Sequence, residues 1–191
     1  MPPPPKALLA SRNRHKLEEL RAALPGWELE PLEADDWPEE TGATYGENAR
    51  IKARFGHARA PDVWAIGEDS GIEAAALDGA PGIRSARWAA GDQADALLVR
   101  LGDERDRRAR MVTVLVAVAP DGHELRAEGV LEGTIAPGRR GEAGFGYDPI
   151  FVPAGFTQTV AELGEEWKGA HSHRARAAQA LAAGFARARR S

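Results

Sequence analysis

Residues 63–71 read Val63-Trp64-Ala65-Ile66-Gly67-Glu68-Asp69-Ser70-Gly71, and this stretch carries the features that decide the fold class. Its apolar start follows the turn signal Ala60-Pro61-Asp62, so it is predicted to form a short buried strand. Glu68 and Asp69 follow where we expect that strand to end. Ligands bind at the carboxyl ends of strands in open α/β sheets, and adjacent carboxylates suit Mg²⁺. The stretch therefore indicates a metal site, although it also fits a solvated acidic turn.

Strands and helices alternate in the first part of the chain. Residues 6–10 are apolar and predict a strand, and residues 27–32 alternate as a second strand would. Between them, a polar turn at 11–16 precedes leucines at helical spacing, and Pro25-Gly26 ends that helix. Residues 44–59 predict another helix. This order of elements is typical of α/β proteins.

Strands follow one another more closely in the second part. Residues 111–118 predict a strand, and Asp121-Gly122 predicts a hairpin into a strand at 123–131. With the early alternation, this predicts an α/β fold with a mixed sheet and flanking helices. The other expected elements are a strand or short helix at 72–77, a turn at 78–82, a helix at 93–101 capped by Asp92, a loop at 133–146, a strand entered through 147–152 and a closing helix at 173–190.

Length and composition limit the classes of protein that are possible. A chain of 191 residues without repeats or a linker predicts a single domain over 1–191, with 1–5 as a disordered or extended tail. The net charge of -4 argues against duplex nucleic acid as a partner, and the absence of cysteine excludes thiolate chemistry. The apolar run at 111–120 is too short to span a membrane, and no signal peptide is recognisable. We therefore expect a cytoplasmic protein with neither a membrane nor a nucleic-acid partner.

The turn at 11–16 offers a mechanism for binding phosphate. A helix N-terminus presents free amide groups and partial positive charge. Ser11 and Asn13 add hydrogen-bond donors, and Lys16 adds a point charge. The alternative is an ordinary capped helix with a solvent-facing lysine.

Two further acidic and basic groups precede the central strand. Glu40, in the acidic pair Glu39-Glu40, could share a metal with Asp69, or it could be solvated charge. Asn48 and Lys52 are four residues apart on the predicted helix and share a face. Lys52 could reach a phosphate, or it could only pair with a neighbour.

Two segments near the end of the chain could hold a nucleotide base. Glycines in 144–149 let the backbone approach a ligand, and the ring of Phe145 could stack on a base, a contact of ~1–3 kcal/mol. Lys168 and Arg174 could donate to carbonyl or phosphate oxygens. The alternatives are aromatic rings packed inward and a capping role for His173. Because Ser70 has no histidine nearby in sequence, metal-assisted attack by water is the simpler chemistry.

Taken in order, these motifs resemble one family over nearly the whole chain, the inosine triphosphate pyrophosphatases, also called XTP/dITP diphosphatases. The matching segments are Ser11-x-Asn13-x-x-Lys16, Glu40-Thr41-Gly42, Glu47-Asn48-Ala49, Asp69-Ser70-Gly71, Gly79-Ala80-Pro81-Gly82 with Ser85-Ala86-Arg87, Phe145-Gly146-Tyr147-Asp148-Pro149 and Ser172-His173-Arg174.

The resemblance implies a long twisted mixed sheet, two lobes with a central cleft, and a homodimer. It also implies the Mg²⁺-dependent hydrolysis of ITP, dITP or XTP to the nucleoside monophosphate and pyrophosphate. This reaction would cleanse the nucleotide pool.

The resemblance further assigns roles to individual residues. Glu40 and Asp69 would bind Mg²⁺, and Asp69 would also accept the proton of the attacking water. Substrate contacts would come from Ser11, Arg12, Asn13, Arg14, His15, Lys16 and Lys52 at the phosphates, from Ser70, and from Phe145, Gly146, Tyr147, Asp148, Lys168, His173 and Arg174 at the base and sugar.

Three positions depart from the family pattern. Glu68 stands where bacterial members usually have aspartate, Arg12 replaces a common glycine, and Trp167 replaces a common glutamate. Two other functions stay open. One is a related pyrophosphatase for other modified nucleotides, and the other is a nucleotide-binding sensor without catalysis.

Overall fold

The computed structural model describes residues 5–188. The predicted tail of residues 1–5 therefore lies outside the described residues apart from Pro5, as do residues 189–190 of the predicted closing helix. The described strands are β1 (Lys6–Ala10), β2 (Glu28–Pro31), β3 (Trp64–Ala74), β4 (Arg108–Val118), β5 (Glu124–Ile135) and β6 (Phe151–Pro153). The described α-helices are α1 (Arg14–Ala23), α2 (Tyr45–Arg59), α3 (Gln93–Leu101), α4 (Val160–His171) and α5 (His173–Ala188).

These strands form a mixed sheet in the order β2-β1-β3-β4-β5-β6. Strand β1 runs parallel to both β2 and β3, whereas β5 and β6 are antiparallel. Parallel strands need crossover connections, and the helix α1 connects β1 to β2 while α2 connects β2 to β3. The predicted α/β class with a mixed sheet is confirmed.

Contacts within the chain divide it into two compact units. The first contains the chain up to Asp69, the segment Thr113–Gly129 and the chain from Arg174 onward. The second contains Ser70–Val112 and Val130–His173. The strands β3, β4 and β5 each contribute residues to both units.

The core of the first unit is built on α1 and the parallel strands. Leu17, Leu20 and Leu24 recur at helical spacing, and all three are buried. They belong to the same apolar cluster as Leu9 of β1 and Leu29 of β2. Burial of this leucine face fixes α1 against the sheet, and so fixes the loop that precedes it.

The second unit has its own apolar core. Ile72 of β3, Leu97 of α3, Leu131 of β5 and Phe151 of β6 are buried in a single cluster. The helix α3 begins after Asp92, whose carboxylate accepts hydrogen bonds from two backbone amides of the first turn, as predicted.

The predicted strand end at 67–71 is wrong, because β3 continues to Ala74. Gly67 lets α2 pack closely on the strand at this point, since a Cβ atom there would lie 1.9 Å from the carbonyl oxygen of Ala49 in α2. The helix therefore covers the strand closely where a turn was expected. Glu68 and Asp69 consequently lie within a strand and are buried.

Gly67→Ala is expected to destabilise the protein by about 3 kcal/mol, because the new methyl group meets backbone atoms that have no rotamer to change. The free energy of unfolding in urea measures this effect. Gly138→Ala is the matched control, because a Cβ atom at Gly138 meets nothing within 4 Å. Equal stability of the two variants would contradict the close packing of α2 on β3.

Two further differences lie in the second unit. The loop predicted at 133–146 begins later, because β5 continues to Ile135 and pairs with β6. The helix α4 was not predicted, although Thr159 and Glu162 form a capping box at its start. Lys168 therefore lies inside α4 and not at a helix start. The segment at 72–77 divides between the end of β3 and a short 3₁₀-helix, Ala75–Leu77.

Candidate active site

The loop between β1 and α1 is fixed by its own side chains. Asn13 is the N-cap of α1, and its amide oxygen accepts hydrogen bonds from the backbone amides of His15 and Lys16. The hydroxyl of Ser11 accepts one from the backbone amide of Asn13 at 3.2 Å. The helix is therefore capped as in the simpler alternative, but its lysine does not face solvent. Lys16 points to Glu68, with 2.6 Å between the Nζ and Oε2 atoms.

The register of the parallel strands explains this contact. Ala10, the last residue of β1, pairs with Gly67 of β3. Glu68 and Asp69 thus follow the last pair of the β1–β3 ladder, although β3 itself continues. The carboxylates lie beside the end of β1, and this is the edge of a parallel sheet where ligands bind.

Glu68 is completely buried among basic side chains. Burial alone would raise the pKa of its carboxyl group, but Lys16, Arg174 and Lys52 hold that pKa well below its usual range. Arg174 donates from two nitrogens to Glu68 Oε1, at 3.3 and 3.1 Å. Glu68 is therefore ionised, and the surrounding cations compensate the cost of burying its charge.

Arg174 has a second acidic partner that the sequence reasoning missed. Its guanidinium also donates to Glu19 of α1. Glu19 lies three residues after Lys16, on the same side of the helix, and this spacing was the only signal in the sequence. Two carboxylates therefore fix the head group of Arg174.

Asp69 lies beside a different set of partners. Asn48 Nδ2 donates to its Oδ2 atom at 3.1 Å, and Lys52 Nζ lies 3.5 Å from its Oδ1 atom. Burial raises the pKa of Asp69, the neighbouring charge of Glu68 adds to the rise, and Lys52 opposes it. Asp69 is thus a stronger base than an exposed aspartate.

Lys52 lies between the two carboxylates that were predicted to share a metal. Its Nζ atom donates to Glu40 Oε1 at 2.7 Å as well as contacting Asp69. Burial opposes the charged form of Lys52, but Asp69, Glu68 and Glu40 outweigh it and raise its pKa. Asn48 stabilises the same arrangement, because its Oδ1 atom accepts from the backbone amide of Gly42.

The carboxylates of this site suit a metal ion that is bound partly by protein and partly by water and substrate. Among residues 5–188, no group of three acidic, histidine or cysteine side chains could enclose a metal ion. Mg²⁺ commonly uses one or two carboxylates and completes its shell with water and substrate phosphates. Glu40 and Asp69 already share one cation, the ammonium of Lys52. The two carboxylates therefore suit such a partial site.

The second unit brings together another group of predicted site residues. Lys168 Nζ donates to Asp148 Oδ2 at 2.6 Å and lies 4.3 Å from the centroid of the Phe145 ring. The same carboxylate accepts from the backbone amide of Phe145. Tyr147 donates its hydroxyl to the carbonyl of Ser85, and burial raises its pKa to about 12. An aromatic ring is thus held beside a paired cation and anion.

The remaining predicted residues have varied surroundings. Ser70 is half-buried in β3, Gly146 is exposed, and His173 is buried at the start of α5. Arg12 and Arg14 are exposed, and so is His15, whose ring lies 3.8 Å from Glu18. That these residues contact substrate stays a prediction.

Arg174 and Lys168 were predicted to act together. The contacts described above give Arg174 acidic partners in the first unit and Lys168 an acidic partner in the second. Trp167, the departure beside Lys168, packs edge-on against Phe156 with 5.2 Å between ring centroids.

None of the helices within residues 5–188 has the length and apolar character that crossing a membrane requires.

Comparison with known proteins gives consistent matches along the chain. The model of the Ham1 family matches residues 7–184. The dITP/XTP pyrophosphatase of Deinococcus deserti is 45% identical over 186 residues, covering 93% of this chain and 88% of the relative. The solved structure of the Staphylococcus aureus Ham1 protein has a TM-score of 0.84 and 37% identity, covering 96% of this chain and 99% of that one. A dITP/XTP pyrophosphatase structure from Mycobacterium abscessus has a TM-score of 0.70 and 43% identity, covering 92% and 97%.

Proposed function

This chain belongs to the Ham1 family, and on that premise we propose that it hydrolyses noncanonical purine nucleoside triphosphates such as dITP, XTP and ITP. The products are the nucleoside monophosphate and pyrophosphate, so the enzyme is a nucleoside triphosphate pyrophosphatase. The curated relatives bear the name dITP/XTP pyrophosphatase. The expected resemblance to the inosine triphosphate pyrophosphatases is confirmed by these matches.

The observation that carries the proposal is the grouping of Asp69, Glu40, Lys52 and Lys16 within one compact unit. Lys52 pairs with both of these carboxylates, Lys16 pairs with the adjacent Glu68, and burial raises the pKa of Asp69. Hydrolysis of a triphosphate needs positive charge to neutralise the phosphates and a base for the attacking water. These residues supply both.

We assign the metal to Glu40 and Asp69. A bound Mg²⁺ would neutralise phosphate charge and so make the innermost phosphorus open to attack. When these carboxylates bind the metal, the ammonium group of Lys52 would turn to a phosphate oxygen of the substrate. Its positive charge would then stay within the site. Lys16, Ser11 and Asn13 would bind the phosphates at the start of α1.

The chemical step is a single displacement. Water attacks the α-phosphorus, and Asp69 accepts the proton that the water loses. The bond between the α-phosphorus and the bridging oxygen breaks, and the electron pair leaves with pyrophosphate. Burial raises the pKa of Asp69 in the metal-free protein, and a more basic carboxylate accepts a proton more readily.

Selection of the base would use the side chains around Asp148. Phe145 offers a ring face for stacking, and Lys168 offers a donor for the 6-carbonyl that hypoxanthine and xanthine carry and adenine lacks. A site built for that carbonyl leaves its polar groups unpaired against adenine, a discrimination that reaches ~10⁴-fold. Arg174 was also predicted to contact the base. Because two carboxylates hold it, we assign it to positioning Glu68.

We also propose that the protein acts as a homodimer in the cytoplasm, where nucleotides are used for synthesis. Light scattering of the purified protein tests the first point. A monomer at all concentrations would contradict it.

A substrate panel tests the proposed function. We expect ITP, dITP and XTP to release pyrophosphate at least about 100-fold faster than ATP, and a chelator to abolish the reaction. Guanine also carries a 6-carbonyl, so faster turnover than with GTP requires that the pocket reject its 2-amino group. Release of orthophosphate would mean that water attacks the γ-phosphorus and not the α-phosphorus, and it would contradict the proposed reaction. Preferred turnover of modified pyrimidine nucleotides would favour the related pyrophosphatase. Binding without turnover would favour the sensor.

A further inference from the structure

A cavity on one side of α1 has no role in the reaction described above. It has a volume of about 500 Å³, within the range of sites that bind small ligands. It lies between α1 and the chain that follows β2, and its lining includes Arg12, Arg14, Arg21, Glu33 and Trp37. All of these residues belong to the first compact unit.

The cavity and the catalytic carboxylates lie on different faces of α1. Arg14, Glu18 and Arg21 line the cavity and recur at the spacing of one helix face. Lys16 and Glu19 lie on another face, and they contact Glu68 and Arg174. The resemblance assigned Ser11, Arg12 and Arg14 to the phosphates of the substrate, and all three line this cavity, whereas Asn13 and Lys16 do not. A ligand in this cavity would therefore use the two arginines and not Lys16.

The cavity is lined by three arginines and by two glutamates, Glu18 and Glu33, so arginine charge exceeds acidic charge there. Within the described part of the chain, neither Arg12 nor Arg14 forms an ion pair or a hydrogen bond with an acidic side chain. Arg21 is held in position, because its Nε atom donates to the carbonyl of Leu29 at 2.8 Å. Planar guanidinium groups of this kind bind phosphate through paired hydrogen bonds. The cavity thus offers donors for an anionic group.

An aromatic wall accompanies these arginines. Phe55 stacks on the Trp37 ring at 5.5 Å, and the indole nitrogen donates to the carbonyl of Ala34 at 3.2 Å. Both contacts hold the ring in one orientation. The guanidinium carbon of Arg12 lies 6.0 Å from the ring centroid. A fixed indole ring beside a cation is suited to a flat heterocycle that bears a phosphate.

We propose that this cavity is a second nucleotide-binding site, which takes a nucleoside phosphate by stacking its base on Trp37 and holding its phosphate with Arg12 and Arg14. The proposal goes beyond the hydrolysis described above and does not depend on it.

The test counts bound nucleotides per chain. The probe is the α,β-methylene analogue of ITP, in which the bond broken in the reaction is replaced by one that water does not cleave. In equilibrium dialysis with Mg²⁺, the full-length protein is expected to bind two molecules of this probe per chain. Arg14→Ala and Trp37→Ala are each expected to weaken one of the two sites by at least about 10-fold. Arg100→Ala, which removes an exposed arginine from α3, is the matched control and should keep both sites.

Three results would overturn the proposal. One is a single bound probe per chain with an affinity that the variants leave unchanged. Another is a single bound probe whose affinity falls in Arg14→Ala, since the cavity would then belong to the catalytic site. The third is a second site that Trp37→Ala leaves intact, since it would then recognise phosphate without the base. Release of pyrophosphate from ITP, measured on the same preparation, reports on the proposed function separately.

Discussion

Asp69→Asn is expected to lower kcat for ITP by about 1000-fold while the substrate still binds. Asparagine keeps the shape of the side chain but cannot accept the proton of the attacking water. The loss corresponds to about 4 kcal/mol of transition-state stabilisation. Steady-state pyrophosphate release gives kcat, and dialysis against the α,β-methylene analogue gives the affinity.

Asp95→Asn is the matched control for this variant. Asp95 is an exposed carboxylate in the first turn of α3, and its replacement should leave kcat within about twofold of the unmodified enzyme. Near-normal turnover of Asp69→Asn would remove Asp69 from the role of base. Loss of binding together with turnover would assign Asp69 to substrate or metal affinity alone.

Arg174→Met is expected to reduce the free energy of unfolding by about 3–5 kcal/mol, because it leaves the buried charges of Glu68 and Glu19 without their shared partner. The pair of Arg174 with Glu68 differs from a surface ion pair because both side chains are buried, with 3% and 0% of their surface exposed. Urea denaturation followed by tryptophan fluorescence measures the change.

Two further variants make this result specific. Arg126→Met breaks an exposed pair with Glu128 and should cost at most about 1 kcal/mol. Arg174→Lys keeps the charge but not the forked geometry, so its stability should lie between those of the unmodified protein and Arg174→Met. Equal stability of Arg174→Met and Arg126→Met would mean that water reaches Glu68 in the folded protein.

Protonation of Glu68 is expected to make the folded protein less stable at low pH. Its native pKa lies below that of an unfolded glutamate because Lys16, Arg174 and Lys52 outweigh the effect of burial. The stabilisation from its charge is therefore fully present above about pH 4.3 and is lost as the pH falls below that value.

Local sequence signals predicted most of the elements, and tertiary packing explains the exceptions. The leucines of α1 were recognised by their helical spacing, and β4 was recognised by its continuous apolar run. The continuation of β3 through Glu68 and Asp69 could not be predicted, because it depends on α2 packing over Gly67 and on three cations from distant segments. The helix α4 had a visible signal in Thr159 and Glu162, and the sequence reading overlooked it.

The candidate site shows the same division. Motif order brought Lys16, Lys52, Glu40 and Asp69 into one hypothesis, and the structure holds them in one unit. Glu19 was missed because its role depends on a partner 155 residues away along the chain. Arg174 was expected beside the base because the family resemblance assigned it there. Its contacts with two carboxylates became visible only when the helices α1 and α5 could be placed against β3.

The ammonium group of Lys52 affects the order in which a metal ion and a nucleotide can bind. Glu40 and Asp69 already have an internal counter-ion, so their mutual repulsion is relieved by the chain itself and not by a bound ion. A divalent ion that arrives alone must compete with this tethered charge. One that arrives with a nucleotide brings phosphate oxygens to which the lysine can turn. If Glu40 and Asp69 bind the metal as proposed, the resting enzyme would therefore bind metal together with nucleotide more readily than metal alone.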